Sequence, residues 1–138
     1  METKVVKAII SRSKTGFVIM MDGFDAAMSY GDTLEEAKRD FEKFPVEYIE
    51  ISKEAGKEIP AILNNGNLEF EYVYDLSGFF AYYNFISPTK LARRIKENPA
   101  LIRQYASGCT YVSGTKKKQI EKEIKKIGEE LLSVSFDA

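Results

Sequence analysis

Arg103 and Gln104 stand side by side in Pro99 to Ser107, a segment whose apolar spacing predicts a helix. A guanidinium and a carboxamide can each form two parallel hydrogen bonds, the geometry that guanine and adenine edges accept in the major groove of DNA. Ser87, Thr89, Lys90, Ser107, Thr115 and Lys116 are types that hold phosphate oxygens, which position a protein on a duplex without reading its sequence. With Ala100 they complete a candidate set for binding double-stranded DNA. The competing explanations are structural: a surface ion pair for Arg103, and helix capping for the serines and threonines.

Other chemistry is restricted by what the chain lacks. It has no histidine and one cysteine, Cys109. That removes imidazole acid–base catalysis, every histidine-based triad and the usual nitrogen and sulfur ligands of a zinc site. It also removes any intramolecular disulfide, and Cys109 reads as a small filler residue after a helix-ending glycine. Asp22, Asp25, Asp32 and Asp75 are the carboxylates available for a magnesium-dependent nuclease. Asp32 belongs to a helix start and Asp22-Gly23 to a turn, and none lies within a clearly buried strand pattern. The expectation is a non-enzyme with no metal or cofactor. No apolar run approaches the roughly 20 residues of a membrane span, and METKVVKAII lacks the features of a signal peptide, so a cytoplasmic protein is expected.

The elements that must position Arg103 and Gln104 are legible in Ser87 to Gly108. Ser87 N-caps one helix with Pro88 at its first position, and Asn98 caps a second with Pro99 placed likewise. Leu91, Ala92 and Ile95 supply one packing face, Leu101, Ile102 and Tyr105 the other, and Gly108 stops the second helix. This is the outline of a helix-turn-helix. An αα-corner in a small bundle has the same caps and spacing, and charge favours the first reading. Residues 1–76 hold 9 basic and 15 acidic side chains, a net of −6, whereas residues 77–138 hold 11 and 6, a net of +5. A basic module beside an acidic one points to nucleic acid for the former.

At 138 residues the chain is therefore read as two modules, 1–76 and 77–138. In the first, Lys4 to Ser11, Phe17 to Met21 and Ala26 to Tyr30 read as a meander of three strands. Thr33 and Glu36 form a capping box that starts a helix burying Leu34, Ala37, Phe41, Phe44, Tyr48 and Ile51, kinked at Pro45 and stopped at Gly56. Leu68, Phe70, Tyr72 and Tyr74 alternate with polar residues as a fourth strand, giving an α+β layer of order βββαβ on a small antiparallel sheet. In the second, Gly78 to Asn84 forms a first short helix. Gly114 to Val134 forms a last one, with Ile120, Ile124, Ile127 and Leu131 as its apolar stripe. Lys116, Lys117 and Lys118 crowd its first turn, where the helix dipole disfavours cations, so a compensating anion is expected and phosphate is one candidate.

Tyr30-Gly31-Asp32-Thr33-Leu34-Glu35-Glu36-Ala37, after an opening hydrophobic strand and the segment Gly16-Phe17-Val18-Ile19-Met20-Met21, resembles the HicB antitoxins. Leu91-Ala92-Arg93-Arg94, Arg103 to Gly108 and Ile127-Gly128-Glu129-Glu130-Leu131 are similar to the helix-turn-helix tail of one branch of that family. Lys96-Glu97 departs from the glycine and apolar residue common in such turns, Leu101 is apolar where DNA is often faced, and Asp22 and Asp25 replace a proline-bearing turn. The resemblance implies a partial ribonuclease-H-like (HicB-like) first domain that does not cleave and an all-α helix-turn-helix second domain. It implies a HicA-type toxin, a small basic RNase, as partner, and double-stranded operator DNA as the target of autorepression. It further implies a homodimer or higher oligomer. The alternative is a stand-alone helix-turn-helix transcriptional regulator whose HicB-like domain dimerises or senses a ligand.

Overall fold

Alternation of buried Val6, Ala8 and Ile10 with exposed Val5 and Lys7 makes Lys4–Arg12 a strand, β1, at the centre of the first unit. The computed structural model describes residues 2–137; Met1 and Ala138, the outer ends of the two expected modules, lie outside the described residues. Ser13 and Gly16 close a turn through Ser13 N–H to Gly16 O at 2.9 Å, and the chain returns as β2, Phe17–Met21. Gly23, left-handed at φ 82°, turns it again into β3, Phe24–Gly31.

Helix α1, Leu34–Glu54, begins at Thr33, whose Oγ1 accepts from Glu36 N–H at 3.2 Å. Gly31 is fixed by close approach: a Cβ there would stand 2.4 Å from Ala37 N. Phe41 on α1 is fully buried and meets Phe70 at a ring-centroid distance of 4.7 Å. Phe44 and Tyr48 pack with Phe24 at the edge of the core. The helix continues as one element through buried Pro45, and the row Phe41, Pro45, Ile49, Ser52 faces the sheet. That phase corrects one expected core residue. Ile51 falls two positions after Ile49 and is 64% exposed.

Two short 3-10 turns within Ala61–Gly66, separated by a kink at left-handed Asn64 and Asn65, lead into β4, Leu68–Tyr74. The sheet order is β3-β2-β1-β4. It is mixed rather than antiparallel: β4 runs parallel to β1, from Lys4 opposite Leu68 to Ile10 opposite Tyr74. The reason is the connection. A helix crossover after β3 brings β4 back in the direction of β1, as parallel neighbours require.

Helix α2, Leu76–Tyr82, packs on β1 and β4 and does not open the helical half as expected. Its start is tied to the end of β1. Asp75 N–H donates to Ile10 O at 3.0 Å, Arg12 N–H donates to Ser77 Oγ at 3.0 Å, and Asp75 Oδ1 accepts from Gly78 N–H at 2.8 Å. The backbones approach so closely that a Cβ on Gly78 would lie 2.2 Å from Ile10 O. The chain accordingly divides into compact units after Tyr83, not after Leu76. Ser77 to Tyr83 carries no charge, so the net −6 and +5 apply unchanged to these units.

The second unit is helical: α3, Pro88–Arg94, α4, Pro99–Ser107, and α5, Gly114–Leu132. Its interior is Leu91, Ala92, Ile102, Tyr105, Ala106 and Ile120. No helix among the described residues is long and apolar enough to cross a membrane.

Candidate nucleic-acid interface

The two caps expected for α3 and α4 form. Ser87 Oγ accepts from Lys90 N–H at 3.2 Å, and Asn98 Oδ1 accepts from Ala100 N–H at 2.9 Å. With Pro88 and Pro99 at their first positions, both helices start where the sequence sets them. The turn between them, Ile95 to Asn98, closes by two return bonds: Glu97 N–H reaches Ala92 O at 2.9 Å and Lys96 N–H reaches Arg93 O at 3.3 Å. That closure needs one left-handed residue, and Lys96 supplies it at φ 56°. Helix α4 ends in the same way, with Gly108 at φ 81°. The departure noted at Lys96-Glu97 thus leaves the turn intact; a lysine adopts the conformation that glycine takes elsewhere.

Burial of Ile102, Tyr105 and Ala106 turns the opposite side of α4 outward. Ala100, Arg103, Gln104 and Ser107 are exposed there at spacings of three, one and three residues, a continuous stripe along one face. Leu101 is half-buried at its margin. Arg103 Nη1 donates to Thr89 Oγ1 at 3.0 Å, so two candidate residues on different helices meet. Gln104 Oε1 accepts from Thr110 Oγ1 at 3.3 Å, which orients the carboxamide, and Ser107 Oγ donates to the Gln104 carbonyl at 2.8 Å. Lys90 is exposed in the first turn of α3, and Thr115 in the first turn of α5.

Lys116 is placed differently. Its Nζ pairs with Glu97 Oε2, so the anion that answers the lysines at the start of α5 includes a carboxylate of this chain. The Lys116 ammonium, and then the Asn98 N–H, hold the Glu97 carboxyl below its ordinary pKa. Arg94 bridges Glu123 Oε2 at 3.1 Å and Glu130 Oε2 at 2.9 Å, joining α3 to two turns of α5. These bonds raise the Arg94 pKa further. Glu97, Glu121, Glu123 and Glu130, four of the six acidic residues of this unit, face basic partners within it. Its excess of positive charge is thereby left to the surface.

Part of that excess was not singled out from the sequence. Lys122, Lys125 and Lys126 extend the row begun by Lys118 on the side of α5 away from Ile120, and the four line an open groove with Ile95, Glu121, Glu123 and Glu129. Their spacing of four, three and one residues is a helical stripe that was readable. Cys109 is exposed, not a filler: its N–H bonds Gln104 O at 3.2 Å while its thiol faces out.

The candidate carboxylates do not converge. Asp75 caps α2 and accepts from Ser11 Oγ and Ser77 Oγ, Asp32 accepts from Tyr30 Oη at 2.9 Å, and Asp22 and Asp25 are exposed. Among the described residues no group of three or more histidine, cysteine, aspartate or glutamate side chains is arranged to hold a metal ion. No carboxylate forms an ion pair among the described residues of the first unit.

No family model matches the chain, and neither a curated protein nor a solved structure is significantly similar to it.

Proposed function

We propose that this chain binds operator DNA through α4 and represses transcription, and that its acidic first unit neutralises a small basic RNase of the HicA type. The observation that carries the reading is the outward stripe Ala100, Arg103, Gln104 and Ser107 on the second helix of a capped helix pair. Arg103 and Gln104 read base edges there, while the exposed Lys90 ammonium holds phosphate. The neighbouring Ser87, Thr89, Thr115 and Lys116 act at the rim: Thr89 steadies Arg103, and Lys116 works through Glu97 and the turn.

The toxin-binding half of the proposal rests on charge and on the HicB resemblance. The first unit carries a net −6, and none of its carboxylates forms an ion pair among the described residues, which favours docking of a basic protein. The order βββαβ expected from the sequence forms, with α2 added to the same unit. In this reading the protein is a cytoplasmic, non-enzymatic antitoxin that works without a cofactor.

The test is fluorescence anisotropy with labelled duplex from upstream of its own gene, followed by co-purification with the product of the adjacent short reading frame. Salt-dependent, sequence-selective DNA binding together with a stable complex supports both halves. Selective DNA binding without any protein partner leaves a solitary regulator, and loss of both refutes the proposal.

A further inference from the structure

The core of the first unit draws on one alternate set of strand residues: Val6, Ala8 and Ile10 on β1, Ile19 and Met21 on β2, Ala27 on β3. Helix α1 covers that side of the sheet through Leu34, Ala37 and Phe41. Helix α2 lies on the same side, because Tyr82 meets Phe17 and Tyr74, which pack against this core, at ring-centroid distances of 6.1 and 6.2 Å. The remaining strand positions form the sheet's other face. A sheet face left to water is expected to be polar.

Here it carries an apolar row instead. The strand register sets Val73, Ile9, Met20 and Met28 in line across β4, β1, β2 and β3. Met28 is 57% exposed, and Val5, further along β1 on the same face, is 58% exposed. Ile9, Met20 and Val73 are half-buried beside their strand neighbours. An apolar centre that includes two adaptable methionines is the anatomy of a protein–protein interface. The charges beside it are mostly negative. Glu69 and Glu71 stand on this face opposite Val5 and Lys7, and Asp22 and Asp25 are exposed near the β2–β3 turn. Lys7 is the one cation among the described strand residues of the face. With a net −6 on the unit, nucleic acid, an anionic membrane and a second acidic copy are all repelled.

We infer that the sheet face opposite α1 is the docking surface for a basic protein, whose apolar centre seats on the row from Val73 to Met28 and whose Lys or Arg side chains meet Glu69 and Glu71. The existence of such a partner rests on the proposed function; the structure adds which surface receives it. Apolar contact along the row holds the complex, and the glutamates speed its formation.

The full chain is titrated with the product of the adjacent short reading frame, and the complex is then footprinted with hydrogen peroxide. Met28→Arg, which places a cation against a basic partner, raises the dissociation constant at least about tenfold. Ile51→Arg, at a similarly exposed site on α1 in the opposite layer, leaves it unchanged. Both sites are exposed, so both variants keep the far-UV circular dichroism of the wild type. Met28 oxidises to the sulfoxide in the free chain and is protected in the complex. A complex that Met28→Arg forms at wild-type affinity, or in which Met28 oxidises as fast as in the free chain, overturns the inference and leaves the partner standing. A wild type that forms no complex overturns the partner and the inference together.

Discussion

The Glu97 carboxylate, in the turn between α3 and α4, pairs with the Lys116 ammonium in the first turn of α5. One contact thereby ties the turn that aims α4 to the start of the last helix. It also relieves the crowding of Lys116, Lys117 and Lys118 at the positive end of a helix dipole.

That pair makes stability depend on pH in a defined direction. Glu97 is held below its ordinary carboxylate pKa, first by Lys116 and then by the Asn98 N–H. A depressed pKa stabilises the fold above the unfolded-state value, near 4.3, and the benefit is lost as pH falls through the lower folded-state value. Thermal midpoints of the wild type and Glu97→Gln, compared from neutral pH down to pH about 3, should differ most at neutral pH and converge in acid. A constant offset would contradict the pairing.

Lys96 holds a left-handed conformation that a β-carbon disfavours by about 1–2 kcal/mol, partly offset by glycine's larger unfolded-state entropy. Lys96→Gly is expected to stabilise the helical unit by up to about 1 kcal/mol, read as an increased urea midpoint. A fall in the midpoint would show that the lysine side chain contributes more than its backbone costs.

Gly78→Ala tests the seating of α2. The new methyl would meet Ile10 O at 2.2 Å, so α2 must shift and strain its bonds to β1. The expected loss is about 2–3 kcal/mol in urea unfolding. Gly114→Ala, where a Cβ has open space, should stay within about 0.5 kcal/mol of wild type. Equal effects at the two positions would refute the close approach.

Local chemistry wrote much of this molecule plainly into the sequence. Ser87-Pro88, Asn98-Pro99 and Thr33 mark helix starts by the hydrogen bonds their side chains make, and Gly56 and Gly108 mark ends by the φ they accept. The outward stripe of α4 follows from its apolar phase. What stayed hidden was long-range or conformationally silent. Strand alternation gives β4 a face but no direction, so its parallel pairing with β1 was not visible. The aromatic run Phe79, Phe80, Tyr82 and Tyr83 suits any core, and only the close approach of Gly78 to Ile10 assigns it to the sheet. Lys96 carries no turn signal, and Glu97 meets Lys116 across 19 residues that no periodicity links.

The most direct test of the account is the anisotropy titration of duplex from its own promoter with wild type, Arg103→Ala and Gln104→Ala across a range of salt. The account predicts selective binding that weakens as salt rises. It also predicts that each substitution costs about 1–3 kcal/mol on the specific duplex and less on scrambled DNA. Equal affinity for specific and scrambled duplex, or variants that bind as wild type does, would contradict a reading role for α4.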